Sequence, residues 1–535
     1  MTDVNDDPNQ QKHAPAPASA STELLRDLRA SAVFGAGPLE QRETHASWVF
    51  LAGRDAYKIK KPVKLEFLDY STPALRRAAC LEEVRINREL AGATYLGVRA
   101  IVRTPAGLVL GEEDDPRALE YVVQMRRFEE SRTLQGLIEA GKLRDRDIRE
   151  TARRLARFHE RAPVTRDAEP AQVLERWQRN LHELEAIVDP ARWRLHLVRE
   201  FAHAFVAAHV AKLNERLREG RVRDGHGDLR CEHVLLADGV QIVDRIEFDP
   251  RLRQLDVGAD LAFLAMDLEA NGEPGAARLL LEQYRRAGGS PGEDALLAFH
   301  AAYWALVRAK VAMIAAGSSG DQARLGEAER LRALAERLRW RARGPLALIV
   351  CGPAASGKST LAGELAERSG LTVIASDQVR KRLAGIRPEE RAGAEHYSAR
   401  FTLATYAALG EAARAHLAQG EGVILDATCR TVEQRSALLG AIEGVAERVL
   451  LVQCQVSLAT AMRRARERMG EPGRISDATP EIVEAQYGEF QPPSELTAER
   501  LLALDCEAPL ERQANEVTLA LDRRSSPSAG AGPAT

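Results

Sequence analysis

Gly352-Pro353-Ala354-Ala355-Ser356-Gly357-Lys358-Ser359-Thr360 follows an apolar run, Leu346-Ala-Leu-Ile-Val350, and precedes the amphipathic stretch Leu361-Ala-Gly-Glu-Leu-Ala366. This is G-x-x-x-x-G-K-[ST] between a strand and a helix, the setting that a phosphate-binding loop needs. Gly352 and Gly357 let the backbone curl so that its N–H groups face one anion, with a helix N-terminus behind them. Lys358 is then placed to reach the β- and γ-phosphates of ATP, and the Ser359 hydroxyl to hold Mg²⁺. The competing reading is a glycine-rich turn that matches by chance; the strand before and the helix after argue against it. Nucleotide chemistry is expected, and the question becomes what receives the phosphate.

Working outward, strand-like runs at 346–350, 371–375, 422–426 and 448–453 alternate with helical stretches between residues 344 and 523. Strand then helix, repeated, predicts a parallel sheet covered on both faces, an α/β domain. Strand ends on one side of such a sheet face the ligand crevice. Asp426 ends Val423-Ile-Leu-Asp426 there and fits a Mg²⁺ or water-shell ligand, or a strand-end cap. No glutamate follows it, as a motor ATPase would require to polarise water. Asp377, in Ser376-Asp377-Gln-Val-Arg380, is placed as general base on an acceptor hydroxyl, and Arg380 as acceptor anchor; an ordinary helix N-cap uses the same residues. In Met462-Arg-Arg-Ala-Arg-Glu-Arg468, Arg463 and Arg466 lie three apart, and Arg464 and Arg468 four apart. They either close over the triphosphate or form a solvated basic face. Gly470 to Asp477 has the turn content of a lid hinge.

These pieces, together with Ser476-Asp477-Ala478, resemble the P-loop kinase group of gluconate kinases, zeta-type toxins and the kinase domain of polynucleotide kinase. The resemblance covers about residues 345 to 500. It implies ATP-dependent phosphorylation of a hydroxyl on a small molecule or nucleotide.

A second signal lies upstream, in His226-Gly-Asp228-Leu-Arg-Cys-Glu-His233-Val-Leu-Leu236. A loop aspartate before a short apolar run, with a polar residue five positions on, is how protein-kinase-like enzymes place base and metal ligand. Asp228 would take the proton of the attacking hydroxyl. Asp244, Glu247 and Asp249 offer carboxylates for Mg²⁺, with Glu247 favoured by its spacing to Asp260. Asp256 and Asp260 read as structural. Lys58 and Lys60 share one face of a strand by alternation; Lys58 is slightly preferred as the phosphate-pairing lysine, with Glu82 or Glu83 as ion-pair partner. His159 reads as a helix-surface or satisfied core residue. The set resembles the aminoglycoside phosphotransferase and choline kinase superfamily over about residues 45 to 270. It departs from that pattern at His233, where the superfamily has Asn and where imidazole is a poor Mg²⁺ ligand. The site is then either a second kinase centre or a binding-only pocket.

With 535 residues and a net charge of -3, the chain predicts two to four domains and no cationic field for nucleic acid. Six cysteines without a C-x-x-C pair predict reduced thiols in a cytoplasmic protein. No apolar run approaches the ~20 residues of a membrane span, so no membrane partner is expected. The expected layout is multidomain: a disordered tail (1–21), an α+β protein-kinase-like body (22–316), a helical linker (317–343), the P-loop domain (344–523) and a second tail (524–535). It predicts a bifunctional ATP-dependent phosphotransferase; a nucleic-acid end kinase and a regulatory ATPase are the rivals.

Overall fold

The computed structural model describes residues 18–35, 37–44, 46–65, 68–165, 170–387, 390, 392–467 and 479–524. They fall into two compact units, Met1–Arg166 with Gly220–Pro291 and Asp167–Glu219 with Gly292–Thr535.

The first unit is built on a six-stranded antiparallel sheet. Its spatial order is Leu39–Glu43, Ser47–Ala52, Asp55–Lys60, Ala118–Arg126, Tyr95–Thr104 and Gly107–Gly111. Gly53, at φ +58°, makes the tight turn between the second and third strands. Lys58 lies opposite Val49 on one side and Val123 on the other, so Lys58 and Lys60 point to the same face. The helix Pro73–Ala91 starts where the Thr72 hydroxyl accepts from the Leu75 amide and Pro73 pre-sets φ. Cys80, Val84 and Ala91 bury its apolar stripe against Val98, Val123 and Val243, which brings Glu83 beneath the two lysines. In the helix Asp145–Arg161, Ile148, Ala152 and Leu155 recur at helical spacing. They pack with Leu229, Val234 and the helices Val257–Ala270 and Pro274–Arg286 around the 226–249 segment.

The second unit contains a five-stranded, wholly parallel sheet ordered Thr372–Ala375, Val423–Asp426, Leu346–Cys351, Arg448–Gln455 and Leu501–Asp505. Leu346–Cys351 is central and buried at every position, which explains its unbroken apolar run. The helices Lys358–Ser369 and Leu510–Arg523 cover one face, and Ser376–Leu383, Ala399–Leu417 and Val432–Ile442 the other. The neighbouring strands Leu346–Cys351 and Val423–Asp426 thus send their helices to opposite faces, which opens a crevice at their carboxyl ends.

Several expectations need correcting. Helices Pro170–Glu185 and Leu195–Arg218, read as part of the kinase-like body, group with the second unit. Their core is aromatic, with Phe205 stacked on Phe299 and Trp177 and Phe201 tilted against it. Gln322–Arg341, read as a connector, buries Leu331, Leu334, Leu338 and Trp340, and Trp340 joins the sheet core. The preceding helix runs through Gly317 to Ser319 and stops only at Gly320, at φ +67°. Its residues Asp294–Gly317 are long and apolar enough to span a membrane by length and composition, a stretch the sequence reading did not recognise; 61% of the window is buried inside the protein. The helix Ala18–Ala30 begins within the tail expected to be disordered. Residues 1–17 and 525–535, and the hinge with Ser476-Asp477-Ala478, lie outside the described residues.

Candidate functional sites

At the carboxyl end of Leu346–Cys351 the chain turns through three left-handed residues: Gly352 at φ +144°, Ala355 at +62° and Gly357 at +96°. A side chain at Gly352 would meet the Cys454 carbonyl at 2.8 Å and Ser356 Oγ at 2.9 Å, so this glycine is required by close approach as well as by φ. Ser356 Oγ is buried with no hydrogen-bond partner. Lys358 opens the helix Lys358–Ser369, whose first amides are left over by helix geometry, and its Nζ donates to the Pro353 carbonyl 2.9 Å away. The Ala354 amide donates to Gln486 Oε1 at 2.8 Å. Ser359 and Thr360 are exposed beside the loop. An orphaned buried hydroxyl, a lysine folded over its own loop and a free helix N-terminus fit a polyphosphate.

Asp426 is buried and lies level with Val350 and Ala375 on the flanking strands. Ala375, not Ser376, is the N-cap of Ser376–Leu383, so Asp377 sits in the first helical turn, half-buried, two residues beyond Asp426's strand partner. Arg380 is committed within the protein: it donates to the His396 carbonyl at 2.6 Å and to Thr402 Oγ1 at 3.3 Å, and stacks on Tyr397 at 4.7 Å. Arg463 and Arg466 point outward on Leu458–Glu467. Arg464, between them, faces the loop. It donates to the Cys506 carbonyl at 2.8 Å and lines a 350 Å³ cavity with Gly357, Thr360, Cys506, Leu510 and Gln513. Helix phase could have singled it out, because Ala461 and Ala465 mark the buried side.

In the first unit, Lys58 Nζ stands 2.7 Å from Asp244 Oδ1 and 2.9 Å from Glu83 Oε1. Lys60 Nζ stands 2.5 Å from Glu83 Oε2 and also pairs with Glu247, whose Oε1 accepts from the Tyr70 hydroxyl at 2.8 Å. Glu83 is therefore the partner, and Glu82 pairs instead with Arg85 and Arg253. Glu83 makes ionic contacts of poor hydrogen-bond alignment, so charge alone holds it. Burial pulls Lys58 toward neutrality, but Asp244 and Glu83 outweigh it and hold the ammonium charged. Lys58 in turn holds Asp244 far below the carboxylate range. Burial raises Glu247, yet Lys60 and Lys58 bring it below its ordinary value.

Of the three aspartate and glutamate candidates, Asp249 caps Pro250–Arg253 and pairs with Arg251, and Glu247 is enclosed by Lys60 and Tyr70. Asp244 is the open one: its side chain is 46% exposed, and Oδ2 is 3.8 Å from His233 Nε2. Among the described residues no three His, Cys, Asp or Glu side chains converge as a metal site. Mg²⁺ often takes only one or two carboxylates plus phosphate oxygens, so Asp244 remains compatible with it.

Asp228 is held by Arg230 through two bonds of 2.9 and 3.0 Å. Burial raises its carboxyl, and Arg230 and His233 more than reverse that. His233 Nδ1 lies 2.7 Å from the Asp228 carbonyl, which orients the ring with Nε2 toward Asp244. The loop itself is fixed by a residue read only as structural: Asp260 accepts from the His226 and Gly227 amides at 2.7 and 2.9 Å, and meets His159 Nε2 at 3.0 Å. His159 is accordingly a satisfied core residue, also bonded to the Tyr284 hydroxyl at 2.8 Å. His226 is pushed down to about 4 by burial and is neutral, bridging to the Val243 carbonyl at 2.9 Å.

Residues 348–493 match the AAA domain family model. The uncharacterized proteins Mb2027c of Mycobacterium bovis and Rv2004c of Mycobacterium tuberculosis are each 34% identical over 462 residues, which is 84% of this chain and 89% of theirs. The chain belongs to their family. Among solved structures it is similar to a gluconokinase from Sinorhizobium meliloti, at 22% identity over 34% of this chain and 94% of that one, with TM-score 0.25. It is also similar to a choline/ethanolamine kinase family protein from Mesorhizobium loti, at 17% identity over 60% of this chain and 93% of that one, with TM-score 0.37. In this family member the P-loop therefore lies within the AAA-type domain of residues 348–493.

Proposed function

We propose that this chain is an ATP-dependent phosphotransferase whose P-loop domain passes the γ-phosphoryl of ATP to a hydroxyl of a small molecule or nucleotide. One observation supports it above the others: the glycine-pinned loop with the orphaned Ser356 hydroxyl opens beside Asp426, on the adjoining strand. The loop amides and Lys358 hold the β- and γ-phosphates, and Arg464, from the cavity wall, adds positive charge where the transferring group gains negative charge. Ser359 and Asp426 are the residues to hold Mg²⁺, which when bound neutralises charge shared between the phosphates. Asp377 takes the proton as the acceptor oxygen attacks phosphorus and ADP leaves. Arg380 steadies the acceptor side through its hold on the 394–397 turn. The absence of a glutamate after Asp426 favours transfer to a hydroxyl over water-activating ATPase chemistry.

The first unit supplies a second phosphotransferase site, with Lys58 on phosphate, Asp244 and His233 toward the metal and Asp228 as base. Asp228 reaches an acceptor only when Arg230 releases it. A nucleic-acid end kinase is disfavoured by the net charge of -3.

The test is ADP release by the full-length protein across sugars, sugar acids, aminoglycosides, nucleosides and RNA ends. The expected result is turnover with a phosphorylated product, which Lys358→Ala abolishes for acceptors of the P-loop domain and Asp228→Ala reduces only for acceptors of the first unit. ATP hydrolysis without a phosphorylated product, or a rate unchanged by Lys358→Ala, would overturn the reading.

A further inference from the structure

Four of the six cysteines mark the carboxyl edge of the parallel sheet. Cys351 ends the central strand, Cys429 follows Asp426, Cys454 lies near the end of Arg448–Gln455, and Cys506 follows Leu501–Asp505. The sheet sorts them into two pairs. Cys351 and Cys429 are buried with the helices Ala399–Leu417 and Val432–Ile442, while Cys454 and Cys506 share the other face with Leu361 and Leu504. Cys454 is paired with Leu504 in the ladder, and the Cys506 amide donates to the Gln455 carbonyl at 2.9 Å. Strand alternation then puts both thiols on the same side of neighbouring strands, and the two hydrogen-bond to each other.

Each of these cysteines touches one hinge of the phosphate loop. A methyl group at Gly352 would stand 3.4 Å from Cys454 Cβ, and one at Gly357 would stand 3.9 Å from Cys506 Cβ and 3.5 Å from Arg464 Nη1. Cys506 also lines the 350 Å³ cavity, which gives a small oxidant a route to an otherwise buried sulfur. The thiols differ in acidity. Cys506 is drawn below the usual thiol value by the bond from Cys454, and Arg464 adds to this against burial; Cys454 is raised by the same bond and by burial. Cys429, in the other pair, is pushed up to about 12 by burial.

We propose that Cys506 and Cys454 are an oxidisable dithiol whose disulfide disables nucleotide binding at the phosphate loop. The inference about binding rests on the phosphotransferase reading above; the inference about the disulfide does not. Hydrogen peroxide is the oxidant. The Cys506 thiolate attacks one peroxide oxygen, the O–O bond breaks, and the departing hydroxide takes a proton to become water, leaving a sulfenic acid. Cys454 Sγ attacks that sulfur, the S–S bond forms as the S–O bond breaks, and the leaving hydroxide carries off the Cys454 proton as a second water. Two thiols lose two electrons, and one peroxide becomes two waters. The bond draws two sulfurs from hydrogen-bonding contact to about 2.05 Å, with a fixed torsion. That displacement falls on the turn bearing Cys506, whose carbonyl anchors Arg464, and on the carbonyl packed against Gly352. Losing even one hydrogen bond to a charged phosphate weakens binding by about tenfold or more.

The experiment treats the full-length protein with hydrogen peroxide, alkylates the remaining thiols under denaturing conditions and maps disulfides by mass spectrometry. Binding of a fluorescent ATP analogue at the phosphate loop, taken as the part of the signal that Lys358→Ala removes, is measured before oxidation, after it, and after reduction with dithiothreitol. The expected result is a 454–506 link that weakens binding by about tenfold or more, the scale of one lost phosphate hydrogen bond, with recovery on reduction. Cys454→Ser, or Cys454→Ala if the serine disturbs folding, should stop at a sulfenic acid on Cys506 that dimedone traps. Failure to find the 454–506 link, or linked protein that binds the analogue as tightly as reduced protein, would overturn the proposal. Reduced protein that fails to bind at all would instead count against the phosphotransferase reading.

Discussion

Replacing Lys60 by Met tests the charge balance under the first unit's sheet. Lys60 is almost wholly buried and contacts two carboxylates, Glu83 and Glu247, both buried as well. Lys58 still faces Glu83 after the substitution, but Glu247 loses its nearest cation and keeps the Tyr70 hydroxyl and the more distant charge of Lys58. Breaking a buried pair from one side costs about 3–5 kcal/mol, because the remaining charge is stranded in low dielectric. The loss is read by hydrogen exchange of peptides spanning Ser47–Lys60, which report this unit alone. The pH dependence has a definite sign. In the native protein Glu247 is depressed, so its contribution is present above its unfolded value and disappears as pH falls through the lower folded one. In Lys60→Met burial dominates and raises the same carboxyl, so the deficit should shrink as pH falls and Glu247 takes up a proton. Lys60→Met with Glu247→Leu should recover most of the loss, since an apolar pair of similar volume replaces the ions. A single variant within about 1 kcal/mol of the parent, the scale of an exposed pair, or a double variant no better than the single, would refute the argument.

Gly352→Ala should abolish ATP binding at the phosphate loop and lower stability, because φ +144° is strained for alanine and the new methyl meets the Cys454 carbonyl at 2.8 Å; loss of the Lys358-dependent part of a calorimetric titration with ATP checks it. Arg343→Met should cost about 3–5 kcal/mol by stranding Asp522, whose carboxylate it holds at 2.8 and 2.9 Å, measured as faster exchange in Leu510–Arg523. Asp260→Ala should free the His226 and Gly227 amides and remove any activity of the first unit while leaving ATP binding at Lys358 intact. Separate titrations of the two sites report this.

The phosphate loop was legible because its chemistry is local: glycines at the two tightest turns, a buried strand before and a helix after. The shared face of Lys58 and Lys60 was legible because strand alternation is strict. Other features were not, because they are long-range or faint. Nothing local distinguishes Glu83 from Glu82 until helix phase is fixed by Cys80 and Val84. The lock of Asp260 on the 226–228 loop and on His159 joins residues 34 and 101 positions apart. The fifth parallel strand, Leu501–Asp505, is only five residues long and its flanks are charged. The strand Tyr95–Thr104 carries two arginines and an irregular register, which blurs its alternation. Mutual spacing offers Arg463 with Arg466 and Arg464 with Arg468 alike, and only the angle from the buried alanines shows that Arg464 faces the loop.

The buried Arg343–Asp522 pair bears on how this gene can be divided. A fragment starting at Gly344, where composition suggests a seam, would discard Arg343 along with Trp340 and leave Asp522 enclosed without its counter-ion. It would also lose Leu195–Arg218, which belongs to the same unit from far upstream in the chain. Recombination between lineages at that seam would therefore strand a buried carboxylate and separate packed helices of one unit, so the architecture favours inheritance of the chain as one piece.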